Sequence, residues 1–372
     1  MLRLFSLIAL GCSAVAISMP LSAASAQSAP AGAAVSQRNA QAVRKGLAFL
    51  RQKQGQDGSW GQYPGITAVC LIGFLRNGVT EKDPAVAKAV KYLAGLAKPD
   101  GAIYTDQFGP AQRLPNYNTA LALTALHLTR NPAHRETIRK AQAFLAKSQF
   151  DEGEGYTRKD SQYGGIGYGS RADNPDVSNL QNALEALKES GYPRNSEVFQ
   201  KAILFLQRCQ NRSESNDQQW AGNDGGFVYA SSGESKADEY TKQPHSSYGS
   251  MTYAGLKSYL YANVSKTDPR VQAAWSWLRA NWDVEQNPRM KDDGLYYYYH
   301  TMTKTLNVWG QKVVTDSRGK KHPWAQEVSA AIVRRQRPDG SWVNQNPRWW
   351  ENRAELSTGY SLISLANCKQ SL

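Results

Sequence analysis

The chain has 372 residues, with 44 Lys and Arg against 31 Asp and Glu, a formal net charge of +13, ten Trp and nineteen Tyr. Intrinsic disorder is excluded, because a chain that is 41% hydrophobic and 10% aromatic can bury enough apolar surface to offset its conformational entropy. Beyond the N-terminus no stretch approaches the roughly 20 apolar residues that span a bilayer, so no transmembrane segment is expected.

Residues 1–26 read as a secretory signal peptide. Met1 to Arg3 form a short basic start, Leu4 to Ile17 an apolar run, and Ala24-Ser25-Ala26 a small-residue cleavage site before Gln27. A lipoprotein reading would use Cys12, which cuts the apolar run in half. The protein is therefore expected in the periplasm or secreted, with residues 27–40 as a linker and 41–372 as one domain. Three cysteines follow the leader, Cys70, Cys209 and Cys368, an odd number with no Cys-x-x-Cys, so disulfides do not organise the fold.

From residue 45 onward one pattern recurs: a basic residue, then an aromatic-Leu pair, Gln, and a Gly-containing turn that ends in an aromatic. The clearest copy runs from Lys45-Gly46 to Phe49-Leu50, with Gln54 and Asp57-Gly58-Ser59-Trp60. Looser copies begin at Lys88, Lys140, Lys201 and Ala273, and the last ends at Gln336 and Asp339-Gly340-Ser341-Trp342. The Gly supplies a positive φ at a helix end, the Gln can bond exposed backbone of a neighbouring helix, and the Trp can pack across a seam. These are structural roles.

Each turn is followed by an apolar segment with helical spacing: Ile66 to Leu75, Asn118 to Leu128, Ser178 to Leu187, Ser250 to Leu260, Tyr296 to Val308 and Leu356 to Leu365. A two-helix hairpin cannot bury its apolar faces alone, whereas six in a ring close on themselves. The predicted fold is all-α, an α6/α6 toroid of six helical hairpins. Residues 311–322 read as a small β-hairpin insertion with Asp316-Ser317-Arg318-Gly319 at its tip, and Lys312, Arg318, Lys320, Lys321 and His322 add to the basic surface. Hairpins one and six should be neighbours, yet Cys70 and Cys368 sit at depths about 13 Å apart on their helices, too far for a bridge.

The Lys-Gly…Phe-Leu…Gln…Gly-Ser-Trp pattern resembles the QW motif of the squalene-cyclase and protein-prenyltransferase superfamily, from Lys45 to about Cys368. That resemblance implies an α6/α6 barrel with a central cavity. It does not carry the enzymes' chemistry with it. Against the cyclases' Asp-x-Asp-Asp-Thr, Pro175 to Leu180 has Asp176 in the first carboxylate position, Ser178 where the proton donor belongs and Asn179 as its neighbour. The Asp, Cys and His that hold zinc in prenyltransferases, and the Cys-Gly-Glu-Gln of thioester relatives, have no counterpart. No metal and no cofactor is expected.

The starts of the inner helices should line the cavity. Tyr296, Tyr299, His300, Thr303 and Lys304 share one helical face, and a tyrosine, a histidine that titrates near neutrality and a lysine can move protons. Aromatic packing with polar tips bonded to neighbours is the alternative. Tyr299, His300, Lys304 and Asp176 are the candidate catalytic residues. His245, Tyr248, Asp173, Asn179, Tyr296, Trp349 and Trp350 are candidate ligand contacts. Asp176 also suits an N-cap, with Ser178 and Gln181 as a capping box, and the two tryptophans suit either a lid or rim packing. Repeat two adds Asn116, Tyr117 and Asn118, and repeat six adds Glu351 and Glu355. Gly164 to Gly169 follows no predicted strand and reads as a turn at the cavity mouth rather than a phosphate loop.

Three functions fit. The first is a terpenoid-cyclase-like toroid whose central cavity binds a small molecule, terpenoid or prenyl-derived by the resemblance, with Tyr/His acid-base chemistry. The second is a polysaccharide lyase or other glycan-active enzyme with a glycan ligand. The third is a non-catalytic envelope binding module. The basic charge suits peripheral contact with an anionic envelope surface. Nucleic acid is not an expected partner, and a monomer is the expected state.

Overall fold

The computed structural model describes residues 31–169 and 174–372. The expected signal peptide lies outside the described residues, as does the candidate ligand contact Asp173.

In chain order the first seven helices are α1 (Ala31–Lys53), α2 (Pro64–Arg76), α3 (Pro84–Gly95), α4 (Pro115–Leu128), α5 (Arg135–Lys147), α6 (Val177–Glu189) and α7 (Glu197–Arg208). Then come a short α8 (Asp238–Thr241), α9 (Gly249–Tyr261), α10 (Pro269–Ala280), α11 (Leu295–Trp309), α12 (Trp324–Arg334) and α13 (Ala354–Lys369). Helices α2, α4, α6, α9, α11 and α13 touch one another in that order and close with α13 on α2, forming an inner ring. Around it lie α1, α3, α5, α7, α10 and α12, with α12 against α1. This is the predicted α6/α6 toroid. Residues 31–40, read as part of a linker, form the opening turns of α1.

Burial separates the two rings. In α2 every residue from Pro64 to Phe74 is buried, as a helix enclosed on all sides requires. In α7 burial follows one stripe, Val198, Phe199, Ala202, Phe205 and Leu206, the face that meets the inner ring. Outer helices start on side-chain caps: Asp83 accepts from Ala85 N, Ser196 from Val198 N and Asp268 from Arg270 N.

The repeated Gln joins one hairpin to the next. Gln54 Nε2 donates to Gly58 O at 2.9 Å and to Ala85 O in α3 at 2.8 Å. Gln149 and Gln210 make the same double bridge, to Gly164 and Val198 and to Gly225 and Arg270. Gln336 donates to Gly340 O and to Ala42 O in α1, both at 2.9 Å, and so closes the ring. Gly58 has φ +89°, and a Cβ there would stand 2.4 Å from Lys88 O, so only glycine allows this approach. Trp60 and Trp342 are fully buried and donate Nε1 to Leu50 O and Ile332 O. A Cβ added to Gly46 of α1 would meet the Trp342 ring, which packs across the closing seam.

The insertion is a two-stranded antiparallel hairpin, β1 (Val314–Thr315) with β2 (Lys321–His322), as predicted. His322 does not join the basic surface. It is buried, 2.8 Å from Glu327 and 3.4 Å from Asp316, because the strand turns its ring inward. Cys70, Cys209 and Cys368 are buried free thiols. Among the described residues no helix is long and apolar enough to cross a membrane.

Candidate functional site: an aromatic cavity at the mouth of the toroid

The six inner helices run in parallel, and their N-terminal ends converge around a cavity of about 290 Å³. Its wall takes Gly65 and Ile66 from α2, Tyr117 and Asn118 from α4, and Ser178 and Asn182 from α6. The other half takes Ser250 and Met251 from α9, Tyr297 from α11, and Leu356 and Tyr360 from α13. Loops add Tyr63, Tyr168, Tyr229 and Tyr248, and Trp349, Trp350 and Glu351 stand at the mouth. The wall is thus mostly aromatic, with a few polar groups at fixed points, the usual make-up of a small-molecule site.

The tyrosine hydroxyls are largely engaged. Tyr297 OH donates to Gln181 Oε1 at 3.2 Å, and the Tyr117 and Tyr360 hydroxyls lie 3.4 Å apart. Burial pushes the phenols of Tyr117, Tyr168, Tyr229, Tyr248, Tyr297 and Tyr360 above their ordinary value, so they stay neutral.

Asp176 and Glu351 are the carboxyls of the described residues that bear directly on this wall. Asp176 caps α6: its Oδ1 accepts from Asn179 N at 2.9 Å and Ser178 Oγ at 2.6 Å, and its Oδ2 from Asn179 Nδ2 at 2.6 Å. Burial raises it to about 6 against these hydrogen bonds. The side chain that reaches the cavity is Ser178, with Asp176 behind it. Glu351 lines the cavity itself and is 1% exposed. Its Oε1 accepts from Tyr297 N at 2.8 Å, and its Oε2 from Tyr296 N at 3.2 Å and Asn344 Nδ2 at 2.8 Å. It thus caps α11 from a distant loop, a service that Gly294 at the helix start cannot provide. Burial raises this carboxyl to about 7, beyond what the three hydrogen bonds recover.

Below the cavity the inner helices end in a buried ionic floor. Lys257 pairs with Glu185, Lys304 with Glu185 and Glu189, and Arg76 with Glu189. Cations here face six helix C-termini, where the helix dipoles favour positive charge. A small void of about 20 Å³ lies among them, bounded by His300, Lys304, Glu185, Asn182 and Tyr360.

The predicted residues divide accordingly. Tyr248, Trp349 and Trp350 line the cavity, as do Tyr117 and Asn118 from repeat two. Tyr296 and Tyr299 do not: Tyr299 OH donates to Val284 O at 2.6 Å, and the Arg335 guanidinium lies over its ring. The face of α11 that meets the axis is one residue further on, with Tyr297 at the cavity and His300 and Lys304 at the floor. His300 does not titrate near neutrality. Burial lowers it to about 3, and the imidazole stays neutral, its ring 5.4 Å from that of Tyr360. Its lysine neighbour is held by carboxylates rather than by the tyrosines. Asn179 is buried against Asp176, and His245 lies away from the cavity, its Nδ1 2.8 Å from Gly233 O.

Tyr63, Tyr168, Tyr229 and Tyr360 line the cavity without being among the predicted site residues. Tyr168 and Tyr229 come from the irregular segments before α6 and α9, where periodicity carries no signal about direction. Two hints were legible: Tyr229 is the aromatic that ends the turn of the copy beginning at Lys201, and Tyr168 lies in the 164–169 turn expected at the cavity mouth.

The squalene-hopene cyclase C-terminal domain model matches residues 62–229. No curated protein matches the sequence. Among solved structures, a variant of the type II terpene cyclase MstE from Scytonema, in complex with geranylgeranyl dihydroxybenzoate as substrate, is 14% identical with a TM-score of 0.58. It covers 91% of this chain and 100% of its own. Another MstE variant, with merosterolic acid A as product, is 12% identical at TM-score 0.58, covering 91% of this chain and 99% of its own. A protein from Actinoplanes is 16% identical at TM-score 0.51, covering 89% and 99%. Residues 62–229 are thus similar to that cyclase domain, and the chain shares the toroid fold of these solved structures.

Proposed function

We propose that this protein is an exported toroid that holds one apolar, isoprenoid-class small molecule in its central cavity. The observation that carries the reading is the cavity itself: an aromatic wall at the convergent N-termini of six helices, with ion pairs beneath it and Trp349 and Trp350 at its open mouth. Burying an apolar chain against such a wall contributes roughly 25 cal/mol per Å² removed from water. A volume of about 290 Å³ sits at the lower end of the roughly 300–1,000 Å³ typical of small-molecule sites and suits a short prenyl chain. The terpenoids in the MstE structures lend the ligand class, and the leader pattern of residues 1–26 supports export and a contact with the envelope surface.

Proton-initiated cyclisation is not part of this reading. It needs a strong acid facing the ligand, and the side chain in that place is Ser178, whose hydroxyl donates to Asp176. Solvent extraction of the protein purified from its native compartment, followed by mass spectrometry, should yield a prenyl-type lipid in near-stoichiometric amount. Calorimetric titration with farnesol should show one site per chain, lost on filling the cavity with Ser250→Trp. An empty extract together with no farnesol binding would refute the proposal.

A further inference from the structure

Glu351 is the one carboxyl in the cavity wall among the described residues, and no Lys, Arg or His pairs with it. We propose that Glu351 is the polar anchor of the cavity, presenting a carboxylic O–H to the carbonyl oxygen of an apolar ligand. The inference rests on the proposed apolar-ligand reading and adds the chemistry of the ligand's head.

The geometry argues for an acceptor rather than a donor head. Oε2 takes two hydrogen bonds, from Tyr296 N and Asn344 Nδ2, while Oε1 takes only the one from Tyr297 N. Oε1 is the oxygen with room for a proton. An apolar ligand displaces water from this wall, which disfavours an ionised carboxylate further and keeps the group neutral. A neutral carboxyl has a single donor and offers it into the cavity. Of the other polar wall groups, Ser178 Oγ donates to Asp176 and Asn118 Nδ2 to Arg113 O, while Ser250 Oγ accepts from Asn287 and keeps its own O–H. A ketone, aldehyde or ester oxygen accepts a hydrogen bond and donates none, so it matches Glu351 and leaves no buried polar atom unpaired. The head would lie beneath Trp349 and Trp350, with the chain directed toward Tyr297 and Tyr360.

The charges facing Glu351 are few. Asp293, from the segment before α11, repels it; Asp293 itself is held by Arg348 and the Tyr240 hydroxyl. From α11 Tyr296 and Tyr297, and from α13 Tyr360, contribute neutral phenols. Arg353 is turned to the rings of Tyr63 and Trp350, and Arg348 to that of Trp349. Among the described residues no cation is placed to hold the carboxylate form.

The test is calorimetric titration of the whole chain with geranylacetone, a ketone, and with β-farnesene, a hydrocarbon, from pH 5.5 to 8.5. The ketone should bind about tenfold tighter than the hydrocarbon at pH 5.5, the worth of one such hydrogen bond, and lose most of that advantage by pH 8.5. E351Q keeps an N–H donor and should bind the ketone with no pH dependence. N344A removes a donor that favours the ionised form and should move the midpoint to higher pH. It covers the case in which E351Q does not fold. Equal binding of ketone and hydrocarbon at every pH would overturn the anchor while leaving the apolar-ligand reading intact. Binding of neither would overturn the reading on which the anchor rests.

Discussion

Glu351 and Asp176 are the two residues whose protonation the fold controls most directly near neutral pH, and both are raised, to about 7 and about 6, by burial. For an acid whose folded value lies above its unfolded one, stability is complete below the unfolded value and falls as pH rises through the folded value. For Glu351 that window runs from its ordinary value of 4.5 to about 7. E351Q cannot ionise. The stability difference between it and the natural chain should therefore move in favour of the variant by on the order of 2–3 kcal/mol between pH 4 and pH 8. Urea titrations at the two pH values measure this, and a pH-independent difference would show that Glu351 keeps an ordinary acidity. Glu351 was visible in the sequence as one of repeat six's polar residues at the expected cavity mouth, beside two tryptophans, but without a role. Nothing in a linear pattern tells that a carboxylate will cap a helix more than fifty residues away, as this one does at Tyr296 and Tyr297.

At the scale of the element, the repeat's turn does one job at the four seams that carry the Gln: its glycine lets the chain approach the next outer helix, and its glutamine bonds to a backbone carbonyl of that helix. The consequence separates two glycines of nearly equal φ. Gly58, at +89°, has Lys88 O within 2.4 Å of an added Cβ, whereas Gly78, at +82°, has nothing within 4 Å. Gly58→Ala should cost on the order of 3 kcal/mol, strain and backbone displacement together, and Gly78→Ala about 1 kcal/mol from strain alone. Thermal denaturation of both variants measures the contrast, and equal losses would refute the close-approach argument. This role was legible beforehand, because a Gln, a Gly and a Trp at fixed offsets after an aromatic-Leu pair have few other physical uses. The facing of α11 was not. A stretch of four tyrosines and a histidine is aromatic on several faces, and the choice of Tyr297 over Tyr296 for the axis depends on how α11 seats between α9 and α13.

The whole molecule is a ring without ends. Gln336 bonds α1 at Ala42, Trp342 packs on Gly46, and Asn77 Nδ2 reaches Leu362 O across the joint between α2 and α13. Hairpin six therefore has the same kinds of neighbours as hairpin three, and no terminal repeat needs a polar cap. A circular permutant that joins residue 372 to residue 41 through a short Gly-Ser linker and opens at the exposed turn near Gly191 should fold. It should unfold in one transition within a few degrees of the natural chain. Calorimetry checks this, and a split transition would mean that hairpins one to three and four to six are separate units.

The sequence alone determined the architecture. Six copies of one helix-turn-helix pattern leave a closed ring as the way to bury every apolar face, and the inner helices fall where the apolar runs were read, Ile66 to Leu75 within α2 and Leu356 to Leu365 within α13. Only the tertiary structure decided which polar groups meet the cavity and in what state. His300 became a neutral imidazole and Glu351 a near-neutral acid because both lost their water to the packing of helices distant in the chain, and desolvation is a property of the enclosure rather than of the residue.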